Sequence, residues 1–347
     1  MKICFIDPPS SAFDDDQFFN IDDKALNRDD GLLPYFHLKK DLEKKGFKVV
    51  TFNKHNQFSS EELTNSLYIS FSRKRDLNFL NELGLNLFAY YLMEPPLIDP
   101  KMYEQLPELT SNFSHVFIHN LVGDCYSLKN VDQSKLRKFY WPQPTKEVST
   151  LHWEKTQRLS SVVVINGHHK PFGFEGKELY SERILWAKRL SAFLPVDLYG
   201  RGWMKKVTRN NLWLVYLLNY FFIKKIYKGS CESKKETLSH YKFALCFENL
   251  AMKGYITEKI FDCFYSGTIP IYWGGNDIED WIPKDTYIKI TDFKNAKILS
   301  HYLLHLSEEE INQYKVNAKK FLADQKNESY FNIYHGLGQF LENNQSE

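Results

Sequence analysis

The chain has 347 residues, 43% hydrophobic and 25% charged, with 45 Lys and Arg set against 43 Asp and Glu. This is the composition of an ordinary globular protein of about two domains, and it excludes collagen-like, disordered and small disulfide-scaffold classes. A formal net charge of +2 gives no support to a general nucleic-acid coat.

The chain begins MKICFIDPP. The apolar stretch is stopped by Asp7 and Pro8, too soon for a signal peptide or membrane anchor, and predicts a first buried strand over Met1–Asp7. Asp14–Asp16 form a carboxylate run that reads as a solvated loop and not as a metal site. Tyr35–Lys45 has helical spacing, a basic last turn and Gly46 as its stop. Phe47–Phe52, Ser66–Phe71, Asn86–Leu92 and Ser114–Ile118 read as further strands, so the first half predicts an open parallel α/β sheet.

Near residues 140–160 this rhythm lapses and two prolines occur, which places a boundary: one domain over 1–150 and a second over 151–347. In the second, strands are predicted at Val162–Asn166, Val196–Tyr199, Phe243–Phe247, Ile269–Trp273 and Tyr287–Ile290, with helices over Leu179–Phe193 and Ser307–Asp324. Two such domains in tandem are expected to face a cleft and to present ligand-binding loops at the carboxyl ends of their strands. His168 and His169 are adjacent, point to opposite sides of an extended chain, and read as loop residues. Cys4, Cys125, Cys231, Cys246 and Cys263 are scattered, odd in number and without CxxC spacing, which predicts reduced thiols in a cytoplasmic setting and no zinc site.

Residues 201–235 break the pattern, with nine Lys or Arg and one acid, Glu232. At their centre lies LWLVYLLNYFFI, residues 212–223, too short to span a bilayer. It reads either as a buried helix or as an amphipathic element in peripheral contact with an anionic membrane.

The stretch richest in chemistry is 241–293. An apolar strand ends in Glu248 and Asn249, a loop with Gly254 follows, and Thr257 is placed to begin a helix running to about Tyr265. Helix amide groups and dipole would then point at a ligand beside the strand end, with Lys259 adding a full charge, an arrangement suited to a diphosphate. On spacing alone, Glu258, Lys259 and Asp262 read equally well as surface charges, with Glu258 and Asp262 an unfavourable like-charge pair.

FEN at 247–249, followed by GYITEKIFDCFYSGTIPIYWG at 254–274, closely resembles the donor-binding motif of the α1,3/α1,4-fucosyltransferases, glycosyltransferase family 10. The likeness extends more weakly to VVVIN, Arg183 and VDLYGRG, and to LMEPP at Leu92–Pro96. It implies the α/β GT-B architecture of two Rossmann-like domains, the first binding an oligosaccharide acceptor and the second GDP-fucose. It implies that Lys259 and Arg183 face the diphosphate, that Glu258 holds ribose hydroxyls, that Asn249 and Tyr255 line the nucleotide-sugar pocket, that Asn166 lies near the nucleotide, and that Glu94 is the general base. An apolar, proline-flanked setting would suit a base with a raised pKa. The implied reaction is inverting transfer of L-fucose from GDP-β-L-fucose to O3 of GlcNAc, in lipopolysaccharide or other surface-glycan biosynthesis. A different acceptor or linkage, or a non-catalytic glycan- or nucleotide-binding protein, stays open. No cofactor or metal is required, a stimulatory divalent ion is left open, and no nucleic acid is involved. Ile165 departs from the serine usual before Asn166, and Ala244 from the aromatic of some relatives.

Overall fold

A computed structural model describes residues 2–168, 173–174, 177–203 and 213–343, with the backbone alone for 213–219 and 342–343. The chain divides into two compact units, one of Met1–Lys146, Lys253–Tyr255 and Gln325–Glu347, the other of Glu147–Met252 and Ile256–Asp324.

The first unit is built on a six-stranded parallel sheet. Its strands are β1 (Lys2–Asp7), β2 (Phe47–Thr51), β3 (Leu67–Phe71), β4 (Asn86–Tyr91), β5 (His115–Ile118) and β6 (Leu136–Lys138), in the order β2-β1-β3-β4-β5-β6. The strands are nearly continuous runs of apolar residues because both faces are covered. Within β1, Cys4 and Ile6 enter the core on one face, and Ile3 and Phe5 the core on the other. Helix α1 (Leu33–Lys44) carries Pro34 in its first turn and lays Tyr35, Leu38 and Leu42 on the Cys4 side. The last helix, Ile333–Asn343, buries Leu337 and Leu341 in that same core.

The expectation of a single second domain over 151–347 is therefore corrected. Residues 325–347 belong with the first unit, because an apolar pair one helical turn apart completes the face begun by α1, and residues 253–255 belong there too. Asp14–Asp16 serve the same unit locally. The Asp16 carboxylate accepts from the Thr51 amide at 2.8 Å and pairs with Lys54, while Asp15 bonds Asn53.

The second unit holds β7 (Leu159–Ile165), β8 (Val196–Tyr199), β9 (Tyr227–Gly229), β10 (Tyr241–Phe247), β11 (Ile269–Trp273) and β12 (Ile288–Lys289), all parallel, in the order β12-β11-β10-β7-β8-β9. Counted within the unit this is the 3-2-1-4-5-6 order of dinucleotide-binding sheets, and the winding reverses between β7 and β10. Helix α2 (Tyr180–Leu190) buries Arg183, Trp186, Ala187 and Leu190 along one stripe. Helix α3 (Trp213–Ile226) sends Ile223 and Ile226 into the core. The short α4 (Lys234–Ser239) leads into β10. Helix α5 (Glu258–Ser266), buried from Ile260 to its end, joins β10 to β11 and stops at Gly267 in the left-handed region. Of the segment 201–235, residues 204–212 lie outside the described residues, as do His169 and residues 344–347; His168 stacks on Trp203. Among the described residues no helix is long and apolar enough to cross a membrane.

Candidate functional site

A pocket of about 250 Å³ opens where the strand order reverses, between the carboxyl ends of β7 and β10. Asn166, Arg183, Asn249, Glu258 and Lys259 all line it, with Lys234 beside them.

Its organising group is Glu248. β10 is apolar until its end and carries this carboxylate, with no exposed side-chain area, directly into the interior. A buried anion must be paired, and Glu248 is paired three times. It accepts from the Thr257 amide at 2.9 Å, from the Thr257 hydroxyl at 2.8 Å and from Lys259 Nζ at 3.1 Å. Thr257 thus occupies the cap position of α5 as the sequence suggests, yet its hydroxyl is turned to Glu248 and to Lys259, not onto the helix amides. The opening of α5 and its lysine are thereby fixed to the strand end.

Around this core the charges alternate. Burial opposes ionisation of the Lys259 ammonium, but Glu248 and Glu258 outweigh it and raise its pKa above the ordinary lysine value. Burial likewise opposes the Glu258 carboxylate, and is outweighed by Lys259 and Lys234, which bring its pKa down to about 2. Lys234 lies 3.4 Å from Glu258 and 3.1 Å from Asp262, so the like-charge pair expected on α5 is bridged by a cation from α4. Arg183, 2% exposed, donates from Nη2 to the carbonyls of Phe247 at 2.6 Å and Glu248 at 3.0 Å, and its guanidinium lies over the Tyr180 ring. On the opposite wall, Asn166 Nδ2 donates to the Gly167 carbonyl, while its buried Oδ1 accepts no hydrogen bond among the described residues. Its backbone carbonyl accepts from the Trp203 indole at 2.7 Å and abuts Gly200, where a Cβ would sit only 1.9 Å away at a φ of +139°. Only glycine closes that turn. Cys246 and Cys263 form part of the floor, and burial pushes the Cys246 thiol well up, which makes it inert.

Residues 175–328, which contain most of this pocket, match the family model described as glycosyltransferase family 10 (fucosyltransferase), C-terminal. Over these residues the chain is similar to glycosyltransferase family 10. It is 47% identical over 76 residues to an α-(1,3)-fucosyltransferase of Helicobacter pylori, a match covering 22% of this chain and 16% of the relative. It is 31% identical over 147 residues to α-(1,3)-fucosyltransferase B of Drosophila melanogaster, covering 41% and 31%. The matched part thus spans less than a third of either relative's length. In fold, a solved α1,3-fucosyltransferase covers 98% of this chain and 89% of its own at a TM-score of 0.50 and 16% identity. The two parallel α/β units form the GT-B architecture.

The pocket brings together five of the seven residues expected at the site, Asn166, Arg183, Asn249, Glu258 and Lys259. The other two lie in the first unit. Glu94 follows β4 in a loop that is strongly held: Tyr103 donates to its carbonyl at 3.0 Å, His119 Nε2 bonds the Met93 carbonyl at 2.9 Å, and the Met93 amide donates to Ser72 at 2.8 Å. Its flanking prolines are buried but its own side chain is exposed, so the enclosed carboxylate suggested by the AYYLMEPP setting is not formed. Glu94 stands three residues beyond the end of β4 at Tyr91, exposed among neighbours that are mostly buried. Tyr255 is 1% exposed, its ring edge-on to His119 at 4.7 Å, and it is absent from the pocket lining. It sits there because Gly254, at a φ of +64°, passes within 2.3 Å (as a Cβ) of the His119 carbonyl and is bonded by Lys138.

Sequence reasoning placed Glu248 at the strand end and Thr257 at the start of α5 without foreseeing their pairing, and missed Lys234. An acid closing an apolar strand marked the place of Glu248 but not the inward direction its carboxylate takes. Among the described residues no cluster of three or more His, Cys, Asp or Glu is placed to hold a metal ion.

Proposed function

We propose that this protein is an inverting fucosyltransferase that moves L-fucose from GDP-β-L-fucose to a hydroxyl of an oligosaccharide, O3 of GlcNAc, in the assembly of lipopolysaccharide or another surface glycan. The observation that carries this reading is the convergence of Lys259, Arg183 and the amino end of α5 on a pocket at the reversal of strand order, within the family 10 segment. The names of its relatives support the α-(1,3) linkage, and five unbridged cysteines support a reducing, cytoplasmic setting.

In this reading the second unit holds the donor. The diphosphate lies against the first-turn amides of α5, near Lys259 and Arg183. Three cations (Lys234, Lys259 and Arg183) and three carboxylates (Glu248, Glu258 and Asp262) balance at the pocket, and their ion pairs and hydrogen bonds hold the lysine and arginine in position. Glu258, ionised at any neutral pH, accepts from ribose hydroxyls, and Asn166 Oδ1, buried without a donor, takes a further hydrogen bond from the nucleotide. The first unit binds the acceptor. Glu94 takes the proton of the attacking hydroxyl as the new C1–O bond forms. The bond from C1 to the phosphate oxygen breaks with its electron pair leaving on GDP, whose growing negative charge the cations and helix end stabilise. The anomeric centre inverts once.

Incubation with GDP-fucose and N-acetyllactosamine, type-1 and lactose acceptors, read by mass spectrometry with linkage analysis, tests this. A GlcNAc O3 fucoside is expected. Donor binding without product on any acceptor would overturn the acceptor assignment, and failure of GDP-fucose to bind would overturn the donor site.

A further inference from the structure

Of the basic, apolar segment singled out in the sequence, Lys234 lines the pocket, whereas helix α3 lies outside that lining and its described end has two distinct faces. At the end of α3, Ile223 and Ile226 are each 4% exposed and enter the core, with Phe222 packed beside them. The opposite stripe is Phe221, Lys224 and Lys225, spaced i, i+3 and i+4, all exposed, with Phe221 at 75%. Lys228 follows on the same side, exposed and 3.3 Å from Asp197. No ion pair is recorded for Lys224 or Lys225 among the described residues, the sequence of α3 contains no acid, and residues 201–235 carry nine cations to one acid.

We propose that this stripe docks the protein on an anionic lipid surface, Phe221 entering the headgroup boundary while Lys224 and Lys225 meet lipid phosphates. A single exposed aromatic is unremarkable in itself. Here it stands one turn from two lysines whose stems can lie along the apolar surface while their heads reach the headgroups. The charge excess selects an anionic surface over a zwitterionic one. The 14 residues of α3 are about 21 Å long, short of a roughly 30 Å hydrocarbon core, and Ile223 and Ile226 are already committed to the protein, so the helix lies on a bilayer and does not cross it. Docking of this kind would bring a glycosyltransferase to acceptors carried on lipid.

The test is co-sedimentation of the full chain with sucrose-loaded vesicles of phosphatidylcholine, with and without phosphatidylglycerol. Binding is expected only with phosphatidylglycerol and should weaken with added salt. Lys224→Gln with Lys225→Gln should lower the partition coefficient roughly 30-fold, at about one kcal/mol for each lysine. Phe221→Ser should lower it roughly tenfold. Turnover of a soluble acceptor and the unfolding midpoint should stay at parental values in both variants. Failure of the parent to bind phosphatidylglycerol vesicles, equal binding to both vesicle types, or unchanged binding by the variants would each overturn the proposal. So would lipid-independent self-association abolished by Phe221→Ser, which would assign the stripe to a second copy of the chain.

Discussion

Replacing Glu248 by Gln tests whether one buried carboxylate holds the site together. The substitution keeps the shape, removes the charge and puts an amide donor among three donors, two from Thr257 and one from Lys259. Each charge-assisted hydrogen bond contributes roughly 1.5–3 kcal/mol, and breaking a wholly buried ion pair costs roughly 3–5 kcal/mol. Lys259 retains 22% side-chain exposure and a second carboxylate, Glu258, at 3.8 Å, so the lower end applies, about 3 kcal/mol. For a unit of this size that is a fall of about 6–12 °C in the unfolding temperature. The decisive assay is a double-mutant cycle in urea with Lys259→Met. In that background no ammonium is stranded, and Glu248→Gln should cost only the Thr257 contacts, giving a coupling energy of about 1.5–3 kcal/mol. GDP affinity, read by calorimetry, should fall at least tenfold in Glu248→Gln, because the opening of α5 is no longer fixed to the strand end. A coupling energy near zero, or GDP affinity equal to the parent, would refute the assignment.

Three further outcomes follow from the same geometry. The Glu258 carboxyl is held down to about 2, below its unfolded value of roughly 4.3, so its contribution is present above that value and lost as pH falls toward 2. Screening at a side chain 33% exposed reduces it to about 1–2 kcal/mol, so urea midpoints of parent and Glu258→Gln should differ at pH 7 and converge near pH 2. His119 is buried, and that burial, aided by Lys138, pushes its pKa down to about 3; unfolding then takes up a proton below roughly pH 6.5, and stability is lost as pH falls. His119→Leu should flatten the slope of unfolding free energy between pH 6 and 4 by about 1.4 kcal/mol per pH unit, and an unchanged slope would show that the ring is already charged or open to solvent. Leu337→Ala, at a side chain with no exposure, should cost about 2–5 kcal/mol in chemical denaturation, and a cost under about 0.5 kcal/mol would show that the last helix is no part of the first core.

The fold was legible wherever a strand had to be apolar on both faces. VVVI, FALCF and IPIYW read as central strands, and the interval between the last two left room for one helix. Of the short edge strands, β12 was expected at Tyr287–Ile290, but β6 and β9 were not legible. β6 has three residues, β9 three and β12 two, and their pairing comes from neighbours already in place more than from their own composition. The return of the last helix was hidden for a related reason. Leu337 and Leu341 announce an apolar stripe, but a stripe states only that some surface will cover it, and the matching surface on α1 and β1 lies some three hundred residues away in sequence.

At the site, composition revealed the groups a ligand would meet and concealed those that hold them. Lys259 and Glu258 stand in a motif whose helix start can be read from Thr257, and Arg183 falls at a spacing that buries it. Glu248 adjoins Asn249 in the same motif, but its work is done inward, on the Thr257 hydroxyl and amide, and nothing in a linear pattern distinguishes an inward carboxylate from an outward one. Lys234 shows the same limit from the other side. Taken alone, Glu258 and Asp262 on one helix face repel, and the pair looks like an argument against a designed site. With a cation from α4 set between them the repulsion becomes attraction, and the two acids are drawn to one point beside the pocket. The sign of that interaction depends on a residue 24 positions upstream of Glu258, so only the fold could decide it.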